Sequence, residues 1–313
     1  MPWLLDISKI GHIVATLAFF GVAAYAIIRQ KSLYRTTNNY YVMFYFTTGT
    51  SLLFAFINIF LLVYHPVGDT ESALREYLDS IAQYAGILFQ SWVILVLFTK
   101  KIVTITSLRS ACVLAIGAHP DDIEIAAGAS LAKMRDAGFS ISGLILTRGE
   151  KGGDGDTRPL EAVRGGKFLG MDSVQVKDYS DTHLSEEIVK ITSEIEKVLE
   201  KVNPDIIFTH SPHDLHQDHQ TIYEATMRAT RMTRTTILCY ESPSATQDFH
   251  PTYYIDVEKY VELKIQALRE HWNQRKKPYM KPDIVRGKLA YRGSLAKVNY
   301  AEGFEVARMV SAI

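Results

Sequence analysis

The chain has little cysteine: two in 313 residues, Cys112 and Cys239, far apart and with no C-x-x-C pair. That excludes a disulfide framework and a zinc ribbon. It leaves two small buried hydrophobes in a reducing compartment as the plain reading. Net charge is also absent, with 34 Lys and Arg against 34 Asp and Glu, so a strongly basic nucleic-acid binder is excluded and no nucleic-acid partner is expected. No G-x-G-x-x-G follows the first predicted strand, which argues against a dinucleotide site. Hydrophobic residues make up 47% of the chain, so the bulk of it is not disordered.

Charge is missing most conspicuously from the first third. Residues 1–110 hold 8 Lys or Arg and 5 Asp or Glu, and three stretches, 10–28, 40–64 and 81–99, hold none. A helix of about 20 apolar residues covers the hydrocarbon core of a bilayer. Buried helices of a soluble bundle normally keep a polar face, and 44–63 is read as having none, while Trp3, Tyr40, Tyr41 and Tyr64 stand where interfacial rings are favoured. Three transmembrane helices are therefore expected. Gln83 and Gln90 make the third the least apolar. Arg29, Lys31 and Arg35 follow the first stretch, and Lys100, Lys101 and Arg109 follow the third. The intervening loop has only Arg75 against Asp69, Glu71, Glu76 and Asp79. The positive-inside rule then predicts an integral, multi-pass protein with its amino terminus outside and its large carboxy-terminal domain in the cytoplasm. The first stretch lacks a basic n-region, which favours a retained anchor over a cleaved signal. The expected division is a membrane domain over 1–105 and a second domain over 106–313.

From Ala111 the pattern changes. Short apolar runs at 111–118, 141–147, 173–177, 205–209, 236–240 and 253–257 predict strands. The intervening 128–137, 159–169, 185–202, 219–230 and 258–271 predict helices, and the tail after Pro282 reads as mixed helix and loop. Strand–helix alternation predicts an α/β domain with a doubly wound, mostly parallel sheet. Such sheets bind ligands beyond the carboxyl ends of their strands.

The reactive side chains fall at that edge. Ala118-His-Pro-Asp-Asp-Ile-Glu124 follows the first strand. His210-Ser-Pro-His-Asp-Leu-His-Gln-Asp-His219 follows the fourth, and it holds four of the ten histidines. Imidazole and carboxylate suit zinc, whose catalytic sites use three protein ligands and an open position for water. A carboxylate that is not a ligand serves as base, so adjacent Asp121 and Asp122 can divide those duties. Helix capping accounts for one aspartate but not for two clusters. Spacing alone does not choose the third ligand among His210, His213, His216 and His219. The same ligand types accept other divalent metals, Fe2+ among them.

At these residues the chain resembles the PIG-L/LmbE-like family of zinc-dependent de-N-acetylases, through A-H-P-D-D-x-E at 118–124 and H-x-x-H-D-x-H-x-D-H at 210–219. Weaker echoes are Thr147-Arg-Gly-Glu150, the Glu161–Gly170 helix, Asp181-Thr-His-Leu184 and Tyr300-Ala-Glu-Gly-Phe304, so the resemblance spans about 111–310. It implies a Rossmann-like domain with His119, Asp122 and His219 as zinc ligands. Asp121 is implied as general base, His216 as an imidazolium steadying the oxyanion, and Asp218 as a partner tuning that histidine or the ligand beside it. Arg164, Arg148 and His213 are candidates for substrate contact, with a solvated helix face the alternative for Arg164. Gln217 departs from the proline of many relatives, and three spans depart from their usual architecture. With those spans, the expected substrate is a lipid-linked N-acetylglucosamine-type sugar, with membrane lipid as a partner. The alternatives are a soluble amino-sugar conjugate of thiol-precursor type, or a tethered binding protein without turnover.

Overall fold

The computed structural model describes residues 7–28, 40–63, 77, 80, 86 and 111–310. The chain divides into two compact units, Met1–Ile102 and Val103–Ile313. In the first, α1 (Ile7–Ile28) and α2 (Tyr40–Val63) pack through Phe19 and Ala55, with the Phe19 and Phe54 rings stacked at 5.4 Å. Ser51 and Asn58, two turns apart on α2, are buried, and Asn58 Nδ2 donates to the Phe54 carbonyl at 2.9 Å.

Among the described residues no helix is long and apolar enough to cross a membrane. This overturns the expected three transmembrane helices, together with the multi-pass membrane location and orientation built on them. A lipid partner loses its support as well. The expectation counted missing charge, and missing charge is not missing polarity: α2 carries Thr47, Thr48, Thr50, Ser51 and Asn58 within its span. The third stretch, 81–99, lies outside the described residues except for Gly86, as do the flanking cations Arg29, Lys31, Arg35, Lys100, Lys101 and Arg109.

The second unit is a mixed α/β sheet of seven strands in the order β3-β2-β1-β4-β5-β7-β6. β1 (Cys112–Gly117), β2 (Ser140–Thr147), β3 (Ser173–Tyr179), β4 (Ile206–Thr209) and β5 (Thr236–Tyr240) are mutually parallel. β7 (Ala301–Arg308) runs antiparallel between β5 and β6 (Tyr253–Asp256). The helices are α3 (Asp122–Asp136), α4 (Arg158–Leu169), α5 (Ile188–Val202), α6 (Gln217–Ala229), α7 (Val261–Arg269) and α8 (Pro282–Ala296). The central strands read as unbroken apolar runs because both faces are covered. Leu114, Ile116, Leu144 and Leu146 pack against Ile191, Ile195 and Val198 of α5 and Ile222 of α6. Each such side chain contributes roughly 1.5–3 kcal/mol on burial.

Two elements differ from expectation. α3 begins six residues early, at Asp122, directly after Asp121 in a left-handed turn (φ 113°). β7 emerges from the tail read as helix and loop. Its carboxylate Glu302 disguised it, since that side chain is buried, paired with Lys264 and accepting the Ala129 and Ser130 amides of α3.

β1 lies between β2 and β4, so the chain leaves the sheet in opposite directions after β1 and β4. That is the topological switch point, where open sheets form a crevice. Both histidine clusters sit on its rim.

Candidate metal centre and active site

The loop after β1 and the loop after β4 are laced together before any side chain reaches the crevice. The Ala118 amide donates to His210 Nε2 (3.0 Å), and the Thr147 amide donates to the Ala118 carbonyl (2.9 Å). At the turn, the His119 amide donates to Asp122 Oδ2 (2.7 Å), so the first helical carboxylate folds back over its own N-terminus. A positive φ at a non-glycine residue is uncommon and costs of order 1–3 kcal/mol. Here it sends adjacent carboxylates to different partners. Asp121 Oδ1 lies 3.5 Å from Arg158 Nη2, while Asp122 faces His119 and His219.

Three groups of His and Asp bring donor atoms within 4.8 Å of one another: His119–Asp122–His219, His119–His216–Asp218 and His210–Asp214–His219. They differ in what their donors already do. His210 Nε2 is taken by the Ala118 amide, and Asp218 accepts the Thr182 and Leu184 amides at 2.7 and 3.2 Å. Asp214 receives His219 Nδ1, the His216 amide and the hydroxyls of Ser242 and Ser244. In the first group each histidine keeps one nitrogen toward Asp122 and has the other gripped by a further carboxylate. His119 presents Nδ1 to Asp122 (3.4 Å) while Asp181 and Asp218 hold its Nε2 at 3.0 and 3.2 Å. His219 presents Nε2 to Asp122 (3.6 Å) while Asp214 holds Nδ1 at 2.9 Å. A histidine that binds metal through one nitrogen and donates the other to a carboxylate has its tautomer and basicity set for the task. The donor set fits a divalent metal.

The electrostatics point the same way. Burial works against charge on His119, but Asp122, Asp181 and Asp218 outweigh it and raise its pKa well above the usual imidazole value. Burial opposes charge on His219 as well, yet Asp122 and Asp214 lift it to about 9. Asp122 is held well below the carboxylate range because His219 and His210 overcome the cost of its burial. The pocket is thus built to hold positive charge between His119 and His219. Asp121 behaves oppositely: burial, then the neighbouring Asp122 charge, push it up to about 6. Two adjacent carboxylates with pKa values driven apart are a signature of divided duties.

His216 caps α6, with its Nδ1 accepting the Asp218 amide at 3.2 Å, and burial followed by His219 and His119 lowers its pKa. With Nδ1 accepting, the neutral ring carries its proton on Nε2. Asp218 turns to His119 and the 182–184 loop. Three other sequence candidates lie outside these groups. Arg148 pairs with Asp156, Arg164 is 50% exposed and 3.6 Å from Glu270, and His213 binds Glu305 at 2.8 Å.

The arginine that does reach the centre is Arg158, 4% exposed, which donates to the Pro120 and Gly149 carbonyls beside Asp121. Gly149 has positive φ, and a Cβ there would overlap the Arg158 guanidinium. Sequence reasoning missed Arg158, and it assigned no role to Asp181 or Asp214. The available signals were an arginine opening α4 just after a glycine-rich loop, and an aspartate inside each histidine motif or its echo.

A fold with its site at the switch point, a metal donor set and a separately tuned carboxylate define a metal-assisted hydrolase. A family model described as GlcNAc-PI de-N-acetylase matches residues 114–230. The uncharacterized deacetylase YaiS of Escherichia coli is 37% identical over 166 residues, covering 51% of this chain and 89% of that protein. The diacetylchitobiose deacetylase of Thermococcus kodakarensis is 27% identical over 222 residues, covering 61% and 81%. Among solved structures, the N,N'-diacetylchitobiose deacetylase of Pyrococcus horikoshii superposes with a TM-score of 0.57 at 23% identity, covering 63% of this chain and 84% of that one. The chain belongs to the PIG-L/LmbE-like family of de-N-acetylases and is a hydrolase of an amide C–N bond.

Proposed function

We propose that this protein is a zinc-dependent N-deacetylase of an N-acetylglucosamine-type sugar, with His119, Asp122 and His219 holding the ion. The observation that carries the reading is the pair of carboxylate grips on His119 Nε2 and His219 Nδ1, which leave the opposite nitrogens turned to Asp122. The sugar follows from the relatives: the family model names GlcNAc-PI, and two relatives are named for diacetylchitobiose. The lipid carrier expected from the sequence rested on membrane spans, so the reading stops at the acetamido sugar.

A bound divalent ion supplies a polarised acetyl carbonyl and a more acidic water. The chain supplies the rest. Asp121, ionised above a pKa of about 6, accepts a proton from the attacking water. The water oxygen bonds to the acetyl carbon, and His216 Nε2–H, keeping its proton, donates a hydrogen bond to the oxygen on which charge develops. The C–N bond then breaks, and Asp121 returns its proton to the departing nitrogen. The products are acetate and the free amino sugar. Arg158, held rigidly by two carbonyls, keeps the Asp121 carboxylate oriented and lowers the cost of its charge.

The test is acetate release from N,N'-diacetylchitobiose and N-acetylglucosamine by the zinc-loaded full chain. The wild type is expected to release acetate, and Asp121→Asn is expected to lose about 10²–10⁴-fold in kcat. Turnover at the wild-type rate by Asp121→Asn would remove the base from the mechanism. Stoichiometric zinc with no acetate from any acetamido sugar would favour a binding protein instead.

A further inference from the structure

The segment that holds Asp214 through Ser242 and Ser244 also lines a cavity of about 390 Å³, to which it contributes Pro243 and Ala245. That volume falls in the range of small-molecule sites. Most of the wall is apolar, with Ile125 of α3 and Val285 and Leu289 of α8 facing in. Five charged side chains interrupt it: Lys264, Lys288 and Arg292 against Glu241 and Glu302.

Their pairing leaves one positive charge over. Glu302 is fully engaged by Lys264 at 2.5 Å and by the Ala129 and Ser130 amides. Glu241 is bound by Arg292 Nε at 2.9 Å and stands 3.6 Å from Lys288. Lys288 otherwise donates to the carbonyls of Glu241 and Ser242 at 3.1 and 3.4 Å. It shares Glu241 with Arg292, so two cations face one carboxylate there, and its ammonium stands a third exposed on the wall of a mostly apolar chamber. Burial, with Lys264 and Arg292 adding repulsion, pulls its pKa down to about 8. An ammonium in that setting gains from an incoming anion, because low-dielectric walls strengthen the attraction.

We propose that this cavity is a binding site for a small organic anion with an apolar body, its carboxylate or phosphate taken by Lys288 and Arg292 and its body by the Ile125–Leu289 wall. The site stands on its own geometry and does not require the deacetylase reading. The anion has two sources: a charged substituent of the substrate itself, or a separate small molecule. Proximity makes both relevant. Tyr279 on the cavity wall lies within electrostatic reach of Asp121 and Asp122, and Ser242 links the wall to Asp214 and hence to His219.

The experiment is calorimetric titration of the zinc-loaded full chain with phenyl phosphate and benzoate, with benzyl alcohol as the neutral control. At least one anion is expected to bind with one site per chain, with the alcohol weaker by about tenfold or more, the worth of a charge-assisted hydrogen bond. Lys288→Met should weaken the anion by about tenfold or more, and Lys288→Arg should restore it. Ile284→Trp, which adds bulk to the cavity lining and keeps all three cations, guards against misfolding of the lysine variant and should also weaken binding. Absence of binding by both anions overturns the proposal. So does binding unchanged in both Lys288→Met and Ile284→Trp, which would put the anion elsewhere, for instance on the metal. Among supporting outcomes, inhibition of diacetylchitobiose turnover by the bound anion in competition with the sugar, seen as a raised KM with kcat unchanged, assigns the site to a substrate substituent. Binding that leaves KM unchanged assigns it to a separate ligand. If no acetate is released at all, the titration still decides the matter.

Discussion

Replacing Asp214 by Asn changes one atom of a side chain that touches no substrate, yet it should cost most of the metal affinity. Asp214 accepts on both oxygens: Oδ1 takes the His216 amide at 2.9 Å and the Ser244 hydroxyl at 2.6 Å, and Oδ2 takes His219 Nδ1 at 2.9 Å and the Ser242 hydroxyl. An asparagine has one acceptor oxygen and one NH2. If the oxygen stays with His219, the NH2 faces the His216 amide, leaving a buried donor unmatched at about 1–3 kcal/mol. If the NH2 turns to His219 instead, Nδ1 must accept, and the ring proton moves to Nε2, the nitrogen aimed at Asp122. That tautomer cannot bind an ion until it changes. Partners of this kind are worth about 10–100-fold in metal affinity, or about 1.4–2.8 kcal/mol. The assay is competition for zinc against a chromophoric chelator, paired with acetate release at saturating zinc. Affinity should fall by that factor while kcat at saturation recovers to within several-fold. A dissociation constant within about twofold of wild type would refute the assignment of His219 Nε2 as a metal donor.

Further outcomes follow from the same contacts. Activity should fall as pH drops, because the base must be ionised. A cation at Asp122 lowers Asp121 below its metal-free value of about 6, so the midpoint of the acid limb in kcat/KM should lie at or below that value, and a midpoint above neutrality would contradict it. Gly149→Ala meets both a left-handed backbone and the Arg158 guanidinium, and should depress kcat more than substrate affinity, read from steady-state kinetics. Lys264→Met leaves Glu302 buried beside α3 without its cation and should destabilise the unit by about 3–5 kcal/mol in denaturant melts, with Lys264→Met/Glu302→Gln recovering part of it.

How much of this was legible in the sequence depended on how local each signal was. The central strands announced themselves because a doubly covered sheet demands apolar runs, and the two histidine motifs stood out because their residues are contiguous. Asp214 and Asp181 were in view, but Asp181 reaches His119 from 62 residues along the chain and Asp214 turns to the ring of His219 rather than to that of His213 or His216, which stand nearer in sequence, choices that the fold makes and the order of residues does not show. Arg158 lost to Arg148 and Arg164 for the same reason: only the close approach permitted by Gly149 shows which of the three is drawn inward. β7 was hidden by a buried carboxylate that composition reads as exposed. The spans were misjudged because charge was used as a proxy for polarity, while hydroxyls and an amide on α2 went uncounted.

The central claim is that one ion held by His119, Asp122 and His219 is what makes this chain a deacetylase. It is tested most directly by counting metal and acetate in the same sample, using native mass spectrometry of wild type, His219→Ala and Asp121→Asn incubated with diacetylchitobiose. The account predicts one ion per chain with acetate in the wild type, the ion without acetate in Asp121→Asn, and neither in His219→Ala. Acetate released by His219→Ala at the wild-type rate, or a full complement of metal in that variant, would contradict it.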